Sequence, residues 1–215
     1  ELLEELAFER EELEYFYTRQ RRQLGLGHAV LCAEPVVGRQ PFVVALGDSI
    51  IGIHAESRVV RLMIDEFEAR GADAVIALER VPAEEVVHYG IARPRGSIAD
   101  VFALDDLVEK PDVAEAPSNL AVAARYVLCP AVFDYLRKTP PGKGDEIQLT
   151  DAIRAIIRDG GKVFGVCLPQ DQQRFDIGNF ESYFQAFVAF ALADPTYGPA
   201  LRRQTERLLR DNGAR

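Results

Sequence analysis

Residues 41–48 read Pro41-Phe42-Val43-Val44-Ala45-Leu46-Gly47-Asp48. The apolar run has strand length and no polar face, so as a strand it must be covered on both sides. It stops at Gly47-Asp48, a turn signal. The pattern recurs in Ala74-Val75-Ile76-Ala77-Leu78 and in Val163-Phe164-Gly165-Val166-Cys167-Leu168. Between these runs lie segments with helical spacing. Residues 56–70 carry Val59, Val60, Leu62, Met63, Ile64 and Phe67, and helices are also expected over 131–138 and 147–158. Short apolar strands alternating with helices predict an α/β fold.

Working outward, the middle of the chain differs. Val86 to Ile91, Ile98 to Val108 and Leu120 to Leu128 are β-type runs with no helix between them, which predicts hairpins or an antiparallel edge. Towards the start, residues 1–14 have the spacing of a surface helix, Tyr15-Phe16-Tyr17-Thr18 reads as a strand, and His28 to Val37 as a short helix. Towards the end, 179–193 and 198–210 read as closing helices. The expectation is one α/β domain with a mixed sheet and an added antiparallel layer. Ligands of such sheets bind beyond the carboxyl ends of the strands.

Hydrophobic residues make up 48% and charged residues 27% of the 215, enough apolar material for a sizeable core. No apolar run approaches the ~20 residues that cross a bilayer. The acidic start Glu1-Leu2-Leu3-Glu4-Glu5 is not a secretory signal. A net charge of −9 argues against a nucleic-acid surface but leaves room for a small anion at a site that carries a cation. Cys32, Cys129 and Cys167 have no metal-like spacing and read as reduced, buried thiols of a cytoplasmic protein.

Four stretches could carry chemistry. The first is Gln20 with Leu24-Gly25-Leu26-Gly27-His28-Ala29, where two glycines precede a helix start. Such a turn lets backbone approach a flat ligand, although most are structural. In the second, Asp48 stands at the end of a strand, placed to hold a metal above the sheet or simply to cap a turn. In the third, Glu109-Lys110-Pro111 closes another strand. Neighbours on a strand point to opposite faces, so both side chains reach one ligand only where the strand ends or bends, as Pro111 suggests. In the fourth, Phe175-Asp176-Ile177-Gly178-Asn179, Asp176 is a second metal ligand or part of a helix cap.

Three longer stretches appear in series: Leu24 to Ala33, Glu109-Lys110-Pro111 with Ala116-Pro117-Ser118-Asn119-Leu120-Ala121, and Lys138-Thr139-Pro140-Pro141-Gly142-Lys143-Gly144-Asp145-Glu146-Ile147-Gln148-Leu149-Thr150-Asp151-Ala152-Ile153. In order and spacing the chain resembles bacterial UTP–glucose-1-phosphate uridylyltransferases, from about Tyr15 to about Ala189. The resemblance implies a three-layer α/β/α, Rossmann-like mixed sheet of the nucleotide-diphospho-sugar transferase type. It implies a nucleobase contact at Gln20 and Gly25, Mg²⁺ held by Asp48 and Asp176, and glycine against the sugar at Gly90. Glu109 would accept from sugar hydroxyls, Lys110 would meet the sugar phosphate as a catalytic cation, and Asn119 and Leu120 would line the sugar pocket. The implied substrates are UTP and glucose 1-phosphate, the product UDP-glucose, and the assembly a homodimer or homotetramer. The stretch 139–153 is taken as structural, with a subunit contact as its other option.

The chain also departs from the family. Relatives open with a strand and a loop carrying Gly-x-Gly-Thr-Arg, followed by a downstream Pro-Lys; nothing like it occurs here. The domain over 1–215 is therefore expected to be N-terminally incomplete, and these 215 residues alone to have little or no uridylyltransferase activity. Two alternatives stay open: a nucleotidylyltransferase for another nucleotide or sugar, and a non-catalytic sugar-nucleotide-binding or regulatory homologue. His54, in Ile51-Gly52-Ile53-His54, is read as a surface residue. Arg19, Arg21 and Arg22 either lie near the nucleotide or face solvent.

Overall fold

The computed structural model describes residues 13–53 and 57–212. The helix expected over 1–14 falls outside these residues except for its last two positions, and so does His54. In chain order the elements are α1 (Leu26–Cys32), α2 (Glu34–Val37), β1 (Phe42–Ala45), β2 (Ser49–Ile51), α3 (Val59–Arg70), β3 (Ala74–Arg80), β4 (Gly90–Pro94), β5 (Val101–Glu109) and β6 (Leu120–Leu128). They continue with α4 (Val132–Lys138), α5 (Leu149–Arg158), β7 (Val163–Cys167), β8 (Arg174–Asp176), α6 (Phe180–Ala193) and α7 (Gly198–Asn212).

Six strands form one sheet in the order β1-β6-β3-β7-β5-β4. The β3–β7 pair is parallel and the other ladders are antiparallel. The apolar run of β3 shows why both faces are covered. Ala74, Ile76 and Leu78 pack with Leu128, Phe133, Leu136 and Ile153, on the side of α1, α4 and α5. Val75 and Ala77 point the other way, against Val59, Met63 and Phe67 of α3. Period-2 alternation thus divides one apolar strand between two cores. The fold is the expected α/β arrangement with a mixed sheet. The strands of the middle region join the main sheet, and the antiparallel addition is the separate two-stranded ribbon β2–β8.

Three local expectations change. The run 41–46 is not covered on both sides: β1 is an edge strand of alternating half-buried and exposed residues, with Val43 exposed. Residues 15–18 form no strand; Phe16 and Tyr17 are exposed and the segment joins no ladder among the described residues. Their aromatic pattern supplies strand propensity without the partner that makes a strand. Residues Ala83–His88 form a 3-10 turn, anchored by the buried Val86, and the strand begins only at Gly90. The closing helices are present. Along α6 only Ala186 is buried, while Phe180, Tyr183, Phe184, Phe187 and Val188 are exposed.

Candidate functional site

The ends of β1, β5 and β8 converge on a cavity of about 310 Å³ lined by Asp48, Ser49, Tyr89, Gly90, Glu109, Lys110, Thr150, Arg174 and Asp176, among others. A larger depression of about 690 Å³, between α4, α5 and the 139–142 loop, contains none of the expected site residues.

The β2–β8 ribbon brings the two aspartates together. Its register sets Ser49 opposite Asp176, and Ile177 N–H donates to the Asp48 carbonyl at 2.8 Å. Gly178 lies between the carboxylates: a Cβ there would stand 3.1 Å from Asp176 Oδ1 and 3.4 Å from Asp48 Oδ2. The two are anchored differently. Asp176 Oδ1 accepts from Gly178 N–H at 2.8 Å and its Oδ2 from Arg174 Nη1 at 3.2 Å. Arg174 is buried, ion-pairs through Nε with Glu79, and lies 5.0 Å from the centre of the Tyr89 ring. Burial pushes the Glu79 carboxyl above its ordinary range, against the opposing pull of Arg174. The Asp48 carboxylate accepts no hydrogen bond among the described residues. Its loop is held instead by Arg125, whose Nη2 donates to Ser49 O at 2.7 Å and whose Nη1 donates to Leu46 O at 3.2 Å and Ala124 O at 2.9 Å. Ala124 has φ 57 at a bulge of β6, which turns this strand towards the loop. Ser49 Oγ is the single buried side-chain N or O atom without a hydrogen-bond partner among the described residues.

Glu109 and Lys110 reach the same cavity because the strand bends between them. Lys110 adopts φ 44, and its N–H donates to Tyr89 O at 2.9 Å. A left-handed lysine is a local strain that surrounding structure has to enforce. Glu109 Oε2 accepts from Thr150 Oγ1 at 2.7 Å, and Lys110 Nζ stands 3.8 Å from Glu109 Oε1. Gly90 faces this pair in the β4–β5 register; a Cβ there would lie 3.2 Å from Thr150 Oγ1 and 3.3 Å from Glu109 Oε2. Tyr126 closes the cavity wall, its hydroxyl pushed well above its usual range by burial and then by the charge of Glu109.

The other expected residues lie off this lining. Gln20 Nε2 donates to Gly25 O at 3.0 Å and lies 2.9 Å from His28 Nδ1. Gly25 and Gly27 meet protein: Gly25 has φ 92, and a Cβ on either would come within 2.8 Å of Glu146 or Ile147. Gly27 N–H donates to Ile147 O and Ile147 N–H to Leu24 O, both at 2.8 Å. Two of the sequence motifs therefore lock onto each other. Asn119 donates to Val81 O at 3.3 Å, and Leu120 is fully buried in the core. Arg19, Arg21 and Arg22 are exposed.

Sequence reading missed Thr150, Arg174 and Arg125. Thr150 sat in a motif taken as structural. Arg174 carried a usable signal, since residues i and i+2 of a strand share a face and Arg174 precedes Asp176 by two. Arg125 carried none. The three cysteines are free, as expected, and half-buried. Among the described residues no helix is long and apolar enough to cross a membrane, and no group of three or more His, Cys, Asp or Glu side chains is placed to hold a metal ion.

A family described as nucleotidyl transferase matches residues 1–191. Among curated proteins, the chain is 35% identical over 208 residues to a UTP–glucose-1-phosphate uridylyltransferase of Staphylococcus epidermidis, covering 97% of this chain and 70% of that one. It is 39% identical over 202 residues to UTP–glucose-1-phosphate uridylyltransferase YngB of Bacillus subtilis, covering 90% and 66%. The chain thus spans about two thirds of the length of the curated relatives it matches. Among solved structures, a UDP-glucose pyrophosphorylase complexed with UDP-glucose has a TM-score of 0.79 at 35% identity, over 87% of this chain and 72% of that chain. A UTP-bound UGPase from Acinetobacter baumannii has a TM-score of 0.78 at 36% identity, over 96% and 72%.

Proposed function

Because the chain belongs to the nucleotidyl transferase family, and within it to the UTP–glucose-1-phosphate uridylyltransferases, we propose that its cavity serves the synthesis of UDP-glucose from UTP and glucose 1-phosphate. The observation that carries this reading is the placement of Asp48 and Asp176 on either side of Gly178, in the same cavity as Glu109 and Lys110. The bare α-carbon of Gly178 leaves room beside two carboxylates, one of which accepts no hydrogen bond among the described residues. That donor set suits Mg²⁺, which commonly takes one or two carboxylates and completes its shell with water and substrate phosphate. Asp48 and Asp176 would hold the ion, which when bound offsets phosphate charge and polarises the phosphoryl oxygens.

The chain's own residues account for the rest. A phosphate oxygen of the sugar attacks the α-phosphorus of UTP; the bond from that phosphorus to the α,β-bridging oxygen breaks, and pyrophosphate leaves with the electron pair. No side-chain nucleophile is required, so the protein positions and neutralises. Lys110 offsets the sugar phosphate, Glu109 accepts from hexose hydroxyls, and Gly90 gives the ring clearance. Gln20 and Gly25 belong to the nucleobase side of this proposal, with the Gln20 amide N–H group engaged on Gly25 and its carbonyl left to face a base. The exposed aromatic side of α6 is the proposed contact of a homodimer or homotetramer. A cytoplasmic setting, where UTP is available, completes the reading.

Calorimetry with UDP-glucose in the presence and absence of Mg²⁺ tests it. UDP-glucose is expected to bind more tightly with Mg²⁺, and at least about tenfold more tightly than GDP-mannose. Failure to bind at millimolar ligand, or equal binding of both sugar nucleotides, overturns the assignment.

A further inference from the structure

Thr150 comes from a motif whose role in the fold does not require its hydroxyl. It is the second residue of α5 and only 5% exposed, among Leu149, Ala152 and Ile153. A valine would suit such surroundings equally well. Nor is the hydroxyl needed to dock the helix. One turn further along α5, Arg154 grips Asp106 of β5 through Nε at 2.7 Å and Nη2 at 2.8 Å, so helix and strand are joined without it. What the hydroxyl does is donate to Glu109 Oε2 at 2.7 Å. A hydrogen bond to a carboxylate is among the stronger kinds, and here it fixes a side chain that would otherwise turn freely. Lys110 Nζ stands 3.8 Å from the other oxygen, and the missing Cβ of Gly90 keeps the corner open beside both Thr150 Oγ1 and Glu109 Oε2.

We propose that Thr150 is a positioning residue for hexose recognition. It holds the Glu109 carboxylate in the one orientation that meets the hydroxyls of a sugar lying against Gly90. The inference rests on reading the cavity as a hexose site. It assigns Thr150 no contact with the nucleotide, so its effect belongs to the sugar half of the ligand alone.

The experiment is calorimetry of UDP-glucose and of UDP on the protein and on Thr150→Val and Thr150→Ser, with melting curves for each. Thr150→Val is expected to lose about tenfold in UDP-glucose affinity, with UDP affinity changed less than about twofold, because a preorganised acceptor is lost and nothing else moves. Thr150→Ser, which keeps the hydroxyl, is expected to retain the ratio of the two affinities. The inference is overturned if Thr150→Val leaves UDP-glucose binding unchanged, or weakens both ligands alike as a displaced helix would. It is also overturned if Thr150→Ser loses the ratio as fully as valine does, a comparison that stands even where valine folds poorly. A parent protein that binds UDP-glucose no better than UDP removes the hexose reading itself, an outcome distinct from loss of the Thr150 effect alone.

Discussion

The two aspartates of the cavity face one another across Gly178, yet they are held by opposite means. Asp176 has a fixed side chain: both carboxylate oxygens are engaged, one by a backbone N–H and one by Arg174, itself buried between Glu79 and Tyr89. Asp48 has a fixed backbone and a carboxylate that accepts no hydrogen bond among the described residues: Arg125 ties down three carbonyls around it and meets the carboxylate through charge alone. One arm is preorganised at the ligand atom and the other only at the loop. If the pair holds the proposed cation, that site has a rigid half and an adaptable half, and a ligand is met by a rotamer change at Asp48 without disturbing the sheet.

The sharpest way to break this comparison is to remove each arginine. Arg174→Met leaves Glu79 buried without its cation, a defect expected to cost about 3–5 kcal/mol in urea unfolding. Arg125→Met takes the donor from the carbonyls of Leu46, Ser49 and Ala124 but strands no buried charge, and about 1–3 kcal/mol is expected. The two deficits should also differ in pH dependence. Burial already raises the Glu79 carboxyl, and without Arg174 that rise goes uncompensated. A carboxyl whose folded value lies above its unfolded value destabilises the fold while ionised and stops doing so as pH falls through the folded value. The Arg174→Met deficit should therefore shrink on acidification, and by more than the Arg125→Met deficit, since Arg125 spends its hydrogen bonds on carbonyls that do not titrate. Equal deficits with equal pH profiles would show that the arms are not built differently.

The next contrast lies in the aspartates themselves. Asp48→Asn and Asp176→Asn are each expected to weaken Mn²⁺ binding by about 10- to 100-fold, read by electron paramagnetic resonance with nucleotide present. Their stabilities should separate. Asp48→Asn removes a carboxylate that accepts no hydrogen bond among the described residues and meets Arg125 through charge alone, so its melting temperature should change little. Asp176→Asn takes one acceptor from Arg174 and should lower its melting temperature, for a stability loss of about 1 kcal/mol. If both variants destabilise alike, Asp48 has a partner in solution and the adaptable half is not adaptable.

Much of this geometry was legible in the sequence, for a reason tied to the fold. Asp48 and Glu109 each follow or end an apolar run, and strand ends are where the chain leaves the sheet, so those two positions could be picked out from the sequence; Asp176 reaches them through the separate β2–β8 ribbon. The Glu109-Lys110 pair needed a bend, and the left-handed Lys110 supplies it. What escaped was pairwise and non-local. Arg125, Arg174 and Thr150 matter only through groups far away in sequence, and no periodicity reports such a partner. The two glycines of 24–29 were legible as close-approach sites, and the backbone of 146–147 is one group that approaches them. Asn119 and Leu120, carried over from the resemblance, stand at the start of β6, where Asn119 donates to a carbonyl and Leu120 packs in the core. The aromatic alternation at 15–18 marked a strand that finds no ladder, because pairing depends on a neighbour and not on the segment.

The smallest expected effect sits where the two arms meet. Ser49 follows Asp48 and stands opposite Asp176 in the ribbon, so its side chain shares a face with the rigid arm while its backbone belongs to the flexible one. Its Oγ is buried with no partner among the described residues. An unsatisfied buried hydroxyl is a cost rather than a support, and replacing it with a methyl relieves that cost. Ser49→Ala should therefore melt at the same temperature or somewhat higher, with a gain of at most about 1 kcal/mol. The informative measurement is the same variant with Mg²⁺ and UDP-glucose present. If the hydroxyl finds its partner only in the loaded site, the stabilising difference should vanish or reverse on adding ligand, because the parent gains a hydrogen bond that alanine cannot make. A difference that stays the same with and without ligand would confine Ser49 to the ribbon and leave the carboxylates to close the cavity unaided.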